Sequence, residues 1–179
     1  MFHRILMLRR IIPAVTYRPN LDITVFTARH LSNNLPENYH LSIPEGSSLK
    51  RYEFVQLMVL LRSPEYSNRS GIVYVYRQNV ARSLAMALTT NGITAFPYTG
   101  ATDKNFKSET QLAWLGGHYR IIVATSAFGL GIDMPDTRFV INYEIPESLA
   151  TLTQMMGRAG RDGGPAKCVV FYNFKMYRT

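Results

Sequence analysis

Cysteine is nearly missing from this chain. Cys168 is the only one in 179 residues, which leaves no internal disulfide and no cysteine cage for zinc. The histidines, His3, His30, His40 and His118, share no metal-ligand spacing. No run of ~18 apolar residues occurs, so no membrane-spanning helix is expected. No Gly-Lys pair occurs anywhere, which excludes a Walker-type phosphate loop. No two acidic residues are adjacent, so there is no Asp-Glu box to hold Mg²⁺ and position water. Acids are also absent before Asp22, while Arg4, Arg9 and Arg10 punctuate the opening MFHRILMLRRIIPAV. That stretch reads first as a domain lead-in. Its basic, acid-free character also resembles an organelle transit peptide.

What is present is ordinary globular material. Apolar residues make up 46% and charged residues 18%, enough for a core in one domain of ordinary size. Twenty Lys and Arg against twelve Asp and Glu give a formal charge of +8 and a pI near 9.8. Such an excess suits polyanionic partners, nucleic acid first, and equally a solvated basic surface.

Residues 1–20 read as a lead-in or linker ending in the turn Tyr17-Arg18-Pro19-Asn20, and a domain is expected over 21–174 with a tail at 175–179. LDITVFTA from Leu21 alternates as a strand does. Residues 31–48, with Pro36, Pro44 and Gly46-Ser47-Ser48, read as a polar loop. Phe54, Leu57, Met58 and Leu61 repeat at helical spacing, and Pro64 follows. Then strands and helices alternate. GIVYVY from Gly71, ITAFPY, YRIIVAT, RFVINYE and KCVVFYN are apolar strand-like runs. Helices fall between them, one with Val80, Leu84, Ala87 and Leu88, one over Asp103 to Leu115 with Phe106 and Trp114, and one from about Glu147. The pattern predicts an α/β fold with a mostly parallel sheet covered by helices on both faces. Ligands of such sheets are expected outside the carboxyl ends of the strands.

QMMGRAGRDG, Gln154 to Gly163, is the most informative stretch. Placed on the end of the last helix, Gln154, Arg158 and Arg161 fall at i, i+4 and i+7 and share one face. Two guanidinium groups and an amide on one face make an anion clamp, because the planar fork of Arg stays charged and binds phosphate bidentately. Gly157 and Gly160 each cost a helix about 1 kcal/mol relative to Ala, so something is expected to approach the backbone closely there. A basic last turn with glycine caps explains one Gly and one Arg, not the whole pattern. ATSAFGLGIDMPD, Ala124 to Asp136, follows an apolar strand and so occupies a carboxyl end. Thr125 and Ser126 offer hydroxyls, backbone N–H groups near Gly129 and Gly131 suit a phosphate, and the Asp133 carboxylate suits a ribose hydroxyl. Taken alone, this is also what a glycine-rich turn with a satisfied Asp looks like. An arginine clamp without a triphosphate cradle makes sense as half of a site whose other half lies elsewhere.

Together these residues resemble a known family. The stretch from Ala124 to Asn173 closely resembles the second RecA-like domain of RecQ-type helicases of superfamily 2, with motif V at Ala124 to Pro135 and motif VI at Gln154 to Arg161. GIVYVY resembles motif IV, Trp114 stands where the family has a Trp, and Arg18-Pro19-Asn20 is similar to the segment that opens this domain. The resemblance implies a P-loop NTPase-like fold and half of a motor that couples ATP hydrolysis to 3′-to-5′ movement on single-stranded DNA and to duplex unwinding. It implies Arg161 as an arginine finger with Arg158 and Gln154 beside the same nucleotide, and Gly129, Gly131 and Asp133 on its sugar and phosphates. Thr125, Ser126 and Arg77 would grip the DNA backbone. ATP and Mg²⁺ would be held mainly by a first RecA-like domain, the expected partner besides DNA. A nuclear location goes with the family, and this chain alone is expected to be inactive.

The sequence departs from the family at Arg77-Gln78, at Tyr98-Thr99-Gly100-Ala101, at Leu152-Thr153 and at Met155. These positions cluster where DNA or the brace of motif VI is expected. Two other readings therefore stand beside the motor: a non-catalytic nucleic-acid-binding module, and a helicase remnant that binds only protein.

Overall fold

Four-residue apolar runs form the middle of the sheet because both of its faces are covered. The computed structural model describes residues 18–27, 41–126 and 136–172; the side chains at 27, 104–107 and 111 are outside that description. The elements run β1 (Leu21–Thr27), α1 (Arg51–Arg62), β2 (Gly71–Tyr74), α2 (Gln78–Thr90), β3 (Ala95–Tyr98), α3 (Lys104–Leu115), β4 (Ile121–Ala124), β5 (Phe139–Asn142), α4 (Leu149–Met156) and β6 (Ala166–Tyr172). Each expected strand and helix is present. Most of the lead-in, much of the polar loop and the whole tail lie outside the described residues.

The strands form one sheet in the order β1-β6-β5-β2-β4-β3, and every pairing is parallel. Period-2 alternation divides the core into two layers. Val73, Val75, Ile121, Val123, Phe139, Ile141, Val169 and Phe171 face α1 and α2. Ile72, Tyr74, Ile122, Ala124, Val140, Cys168 and Val170 face Trp114 and the buried side of α4. β3 pairs only with β4, and that edge position lets it carry Pro97, which has no N–H to donate. Cys168 is buried beneath α4, where its thiol donates to the Met156 carbonyl. Burial pushes that thiol up to about 12, so it is protonated and inert at neutral pH.

The topology also fixes a switch point. From β2 the chain turns to β3 and β4 on one side, then crosses to β5 and β6 on the other. The crevice where strand order reverses lies at the carboxyl ends of β2, β4 and β5. Among the described residues no helix is long and apolar enough to cross a membrane.

Candidate functional site

The candidate residues separate into two places. Beyond Ala124 the chain continues through Thr125, whose N–H donates to the Tyr98 carbonyl at 3.2 Å. The Thr125 side chain is buried, and Ser126 is exposed. Tyr74 lies beside Ala124 in register, so Arg77, three residues further on, belongs to the same edge. It is exposed and forms the N-cap of α2 in an extended conformation. Thr125, Ser126 and Arg77 thus share the switch point, as the carboxyl-end rule requires. Gly129, Gly131 and Asp133 lie outside the described residues.

Sequence reasoning missed the acids at this edge. The Tyr76 N–H donates to Glu144 at 2.5 Å, and the Tyr76 hydroxyl donates to Glu147 in a short hydrogen bond. That bond, with the Glu147 charge, raises the pKa of the Tyr76 phenol. Two carboxylates beside Arg77 place a mixed field where phosphate was expected. Nothing in their spacing along the sequence marks them, because β2 and β5 bring them together only in three dimensions.

The arginine segment is built differently from the expectation. α4 ends at Met156 with Gly157 as its C-cap, so Arg158 and Arg161 are not on a helix and do not share a helical face with Gln154. The chain tightens instead. Arg158 N–H and Ala159 N–H bond three residues back, to Met155 and Met156. Ala159 is fully buried, and its descent into the core takes the backbone off the helical path. Gly160 then adopts φ +55° and donates to the Thr137 carbonyl at 2.9 Å. A Cβ at Gly160 would lie 2.6 Å from the Asn20 amide nitrogen and 2.6 Å from the Gly164 oxygen. The close approach inferred from this glycine is therefore real, but the neighbour is the chain's own backbone and Asn20.

This arginine loop, residues 157–164, is anchored at the amino ends of the strands, not the carboxyl ends. Its contacts are Thr137 and Arg138 before β5, and Asn20 before β1. Gln154 and Arg161 are exposed and Arg158 is half-buried. Both guanidinium groups act on one buried hydroxyl: burial pushes the Tyr74 phenol far above its usual pKa, and Arg158 and Arg161 draw it back. They therefore lie over the α4 face of the sheet. The acid next in sequence, Asp162, is engaged elsewhere. It forms a short ion pair with Arg138, which also donates to Asp136 at 2.8 Å. The Arg138 bond, then the Gly164 N–H, hold the Asp162 carboxyl below the usual range. Its folded pKa is depressed, so the pair is complete at neutral pH and fades as pH falls through that lowered value. Among the described residues no ion pair involves Arg158.

The loop's support begins at the N-cap of α4. Ser148 accepts from the Thr151 N–H at 3.1 Å, satisfying one of the first-turn donors. Ser148→Ala is expected to cost about 1 kcal/mol, lowering the melting temperature by roughly 2–4 °C in a calorimetric scan.

The chain is similar to known proteins in both sequence and fold. The family described as the helicase conserved C-terminal domain matches residues 52–163. The chain belongs to that family. Its relatives by sequence are RecQ-type helicases. It is 35% identical to the ATP-dependent DNA helicase Q1 of Mus musculus over 149 residues, which is 83% of this chain and 22% of that protein. It is 40% identical to the RecQ-like DNA helicase blm-1 of Caenorhabditis elegans over 109 residues, 61% of this chain and 11% of that protein. The helicase domain here therefore spans a quarter or less of the length of these relatives. By structure it is similar to the E. coli DEAD-box protein SrmB, with a TM-score of 0.65 and 26% identity over 70% of this chain and 72% of that one. The RecA-like helicase fold expected from the motifs is thus found. The DEAD-box likeness lies in the fold, and the RecQ likeness in the sequence.

Proposed function

We propose that this domain is the second motor half of an ATP-dependent DNA helicase, presenting Arg158 and Arg161 to a triphosphate held by a first RecA-like domain. The observation that carries the reading is the state of the arginine loop. Arg161 is exposed, and Arg158 and Arg161 both act on the buried Tyr74 hydroxyl, which sets the two guanidinium groups together. The loop suits the charge of ATP, which Arg158, Arg161 and Gln154 would flank. The transferring phosphoryl group gathers charge on its oxygens, and fixed guanidinium groups stabilise that charge without reorganisation. The reading assigns Mg²⁺ mainly to the first domain. At the other edge Ser126 and Arg77 would hold phosphates of single-stranded DNA, contacts that position a strand without reading its sequence. Relative motion of the two domains would convert hydrolysis into 3′-to-5′ stepping.

The test is reconstitution. The chain alone is expected to show no ATPase activity, and joining it to the first RecA-like domain of a RecQ-type helicase is expected to produce DNA-stimulated hydrolysis. Hydrolysis by the chain alone, or none after joining, counts against the motor. The formal charge of +8 and the exposed Arg77 also favour a second reading, a DNA-binding module that does not need its arginines. Salt-dependent binding to single-stranded DNA, unchanged in an Arg158→Ala/Arg161→Ala variant of a reconstituted protein without ATPase activity, would support that reading.

A further inference from the structure

The turn that opens the domain is tied directly to the arginine loop. Arg18 and Ala159 are 141 positions apart in the sequence. One terminal nitrogen of the Arg18 guanidinium donates to the Ala159 carbonyl at 2.9 Å and to the Gly160 carbonyl at 2.6 Å. The Asn20 side-chain nitrogen donates to the Gly160 carbonyl at 2.9 Å and to the Gly164 carbonyl at 2.8 Å. The Arg18 Nε–H donates to the Asn20 amide oxygen at 3.2 Å. That bond fixes which way the Asn20 amide faces, because its oxygen is taken and its nitrogen must point at the loop. The backbone of the turn is fastened too. Leu21 N–H bonds the Arg18 carbonyl, and Ala166 N–H bonds the Asn20 carbonyl, which joins β1 to β6 in register.

The clamp falls on the loop at a telling place. Ala159 and Gly160 are the residues between Arg158 and Arg161. Their carbonyls, with that of Gly164, accept the donors from Arg18 and Asn20. Gly160 has no room for a side chain because Asn20 occupies the space. A loop rich in glycine would otherwise sample many conformations. The guanidinium donors are charge-assisted and so stronger than neutral ones.

The geometry points to Arg18 and Asn20 as positioning residues for Arg158 and Arg161. They set where the guanidinium groups stand without touching the nucleotide themselves. The inference rests on the proposed motor function for its catalytic consequence, and on the hydrogen bonds alone for its structural one.

Two measurements test it. Asn20→Asp keeps the size and the acceptor from Arg18 but turns two donors into a carboxylate facing carbonyls. In the reconstituted, DNA-stimulated enzyme it is expected to lower kcat about 100-fold, the effect of an ångström-scale misplacement, with KM for ATP little changed. Arg18→Lys keeps one charged donor but loses the fork, and is expected to fall between wild type and Arg18→Ala. Hydrogen exchange on the chain alone gives the second readout. Amides of residues 157–164 are expected to exchange at least about tenfold faster in Asn20→Asp, from the loss of bonds worth one decade or more, while those of β2 and β4 hold their rates. Unchanged loop exchange, or acceleration across the whole sheet, overturns the clamp. Loop exchange that rises while Arg161→Ala leaves the kcat of the reconstituted enzyme unchanged keeps the clamp and removes the arginine finger. Loop exchange that rises with kcat unchanged rejects the positioning role.

Discussion

Arg161→Ala is expected to lower the DNA-stimulated ATPase rate of the reconstituted motor by ~10³–10⁵, the range a transition-state arginine supplies in phosphoryl transfer. A thousandfold loss corresponds to about 4 kcal/mol of activation free energy. The loss is expected in kcat, because charge on the phosphoryl oxygens is greatest in the transition state. Arg161→Lys is expected to recover little, since an ammonium group cannot reproduce a planar two-pronged contact. Arg158→Ala should also be severe, and the double variant should be no worse than the more damaging single, because residues that act as a unit are not additive. The melting temperature should move by less than about 2 °C, as expected for an exposed side chain. Steady-state rates with and without single-stranded DNA decide it. A tenfold or smaller effect of Arg161→Ala on kcat would remove the finger from the mechanism.

The strands were legible in the sequence because their burial leaves few choices. GIVY, IIVA and FVIN are covered on both faces, and a short continuous apolar run between turn signals has few other homes in a chain of alternating elements. The helix faces were equally plain: Leu57, Met58 and Leu61 in α1 and Leu84 and Leu88 in α2 are all fully buried. The end of α4 was not. Spacing of four and three residues cannot tell a continuing helix from a helix that stops at Met156 and turns tightly. What decides is the pull of Ala159 into the core and the Gly160 N–H bond to Thr137, and Thr137 is far off in sequence. The ion pair of Arg138 with Asp162, the Tyr76 contacts with Glu144 and Glu147, and the Arg18 and Asn20 clamp escaped for the same reason. Each depends on which strands lie side by side, and strand order is not written in any local pattern.

At the carboxyl edge the departures from the family pattern are mixed in burial: Arg77-Gln78 is exposed, where a new side chain costs the fold little, while Tyr98 and Thr99 are buried. At the arginine loop the room is fixed by backbone. Gly160 is closed in by Asn20 and Gly164, Asp162 is held by Arg138, and Ala159 has no exposed surface.

Gly71→Ala is expected to be the most damaging single-methyl addition in the sheet. Gly71 opens β2, and its N–H bonds the Arg120 carbonyl at 3.1 Å. An added Cβ would lie 2.2, 2.3 and 2.5 Å from three carbons of the Phe139 ring. The ring has nowhere to go. Phe139 is 1% exposed and packs edge-on against Tyr66 with centroids 5.2 Å apart. Overpacking of this kind costs about 3 kcal/mol, a fall of roughly 6–12 °C in melting temperature for a domain of this size. Phe139→Leu alone is expected to cost about 1.5 kcal/mol by leaving the Tyr66 face underfilled. Combining the two should cost about 1 kcal/mol or more less than their sum, because the shorter side chain vacates the space that the new methyl needs. Denaturant unfolding of the four proteins gives the cycle directly. Strict additivity would show that the added methyl does not press on the Phe139 ring.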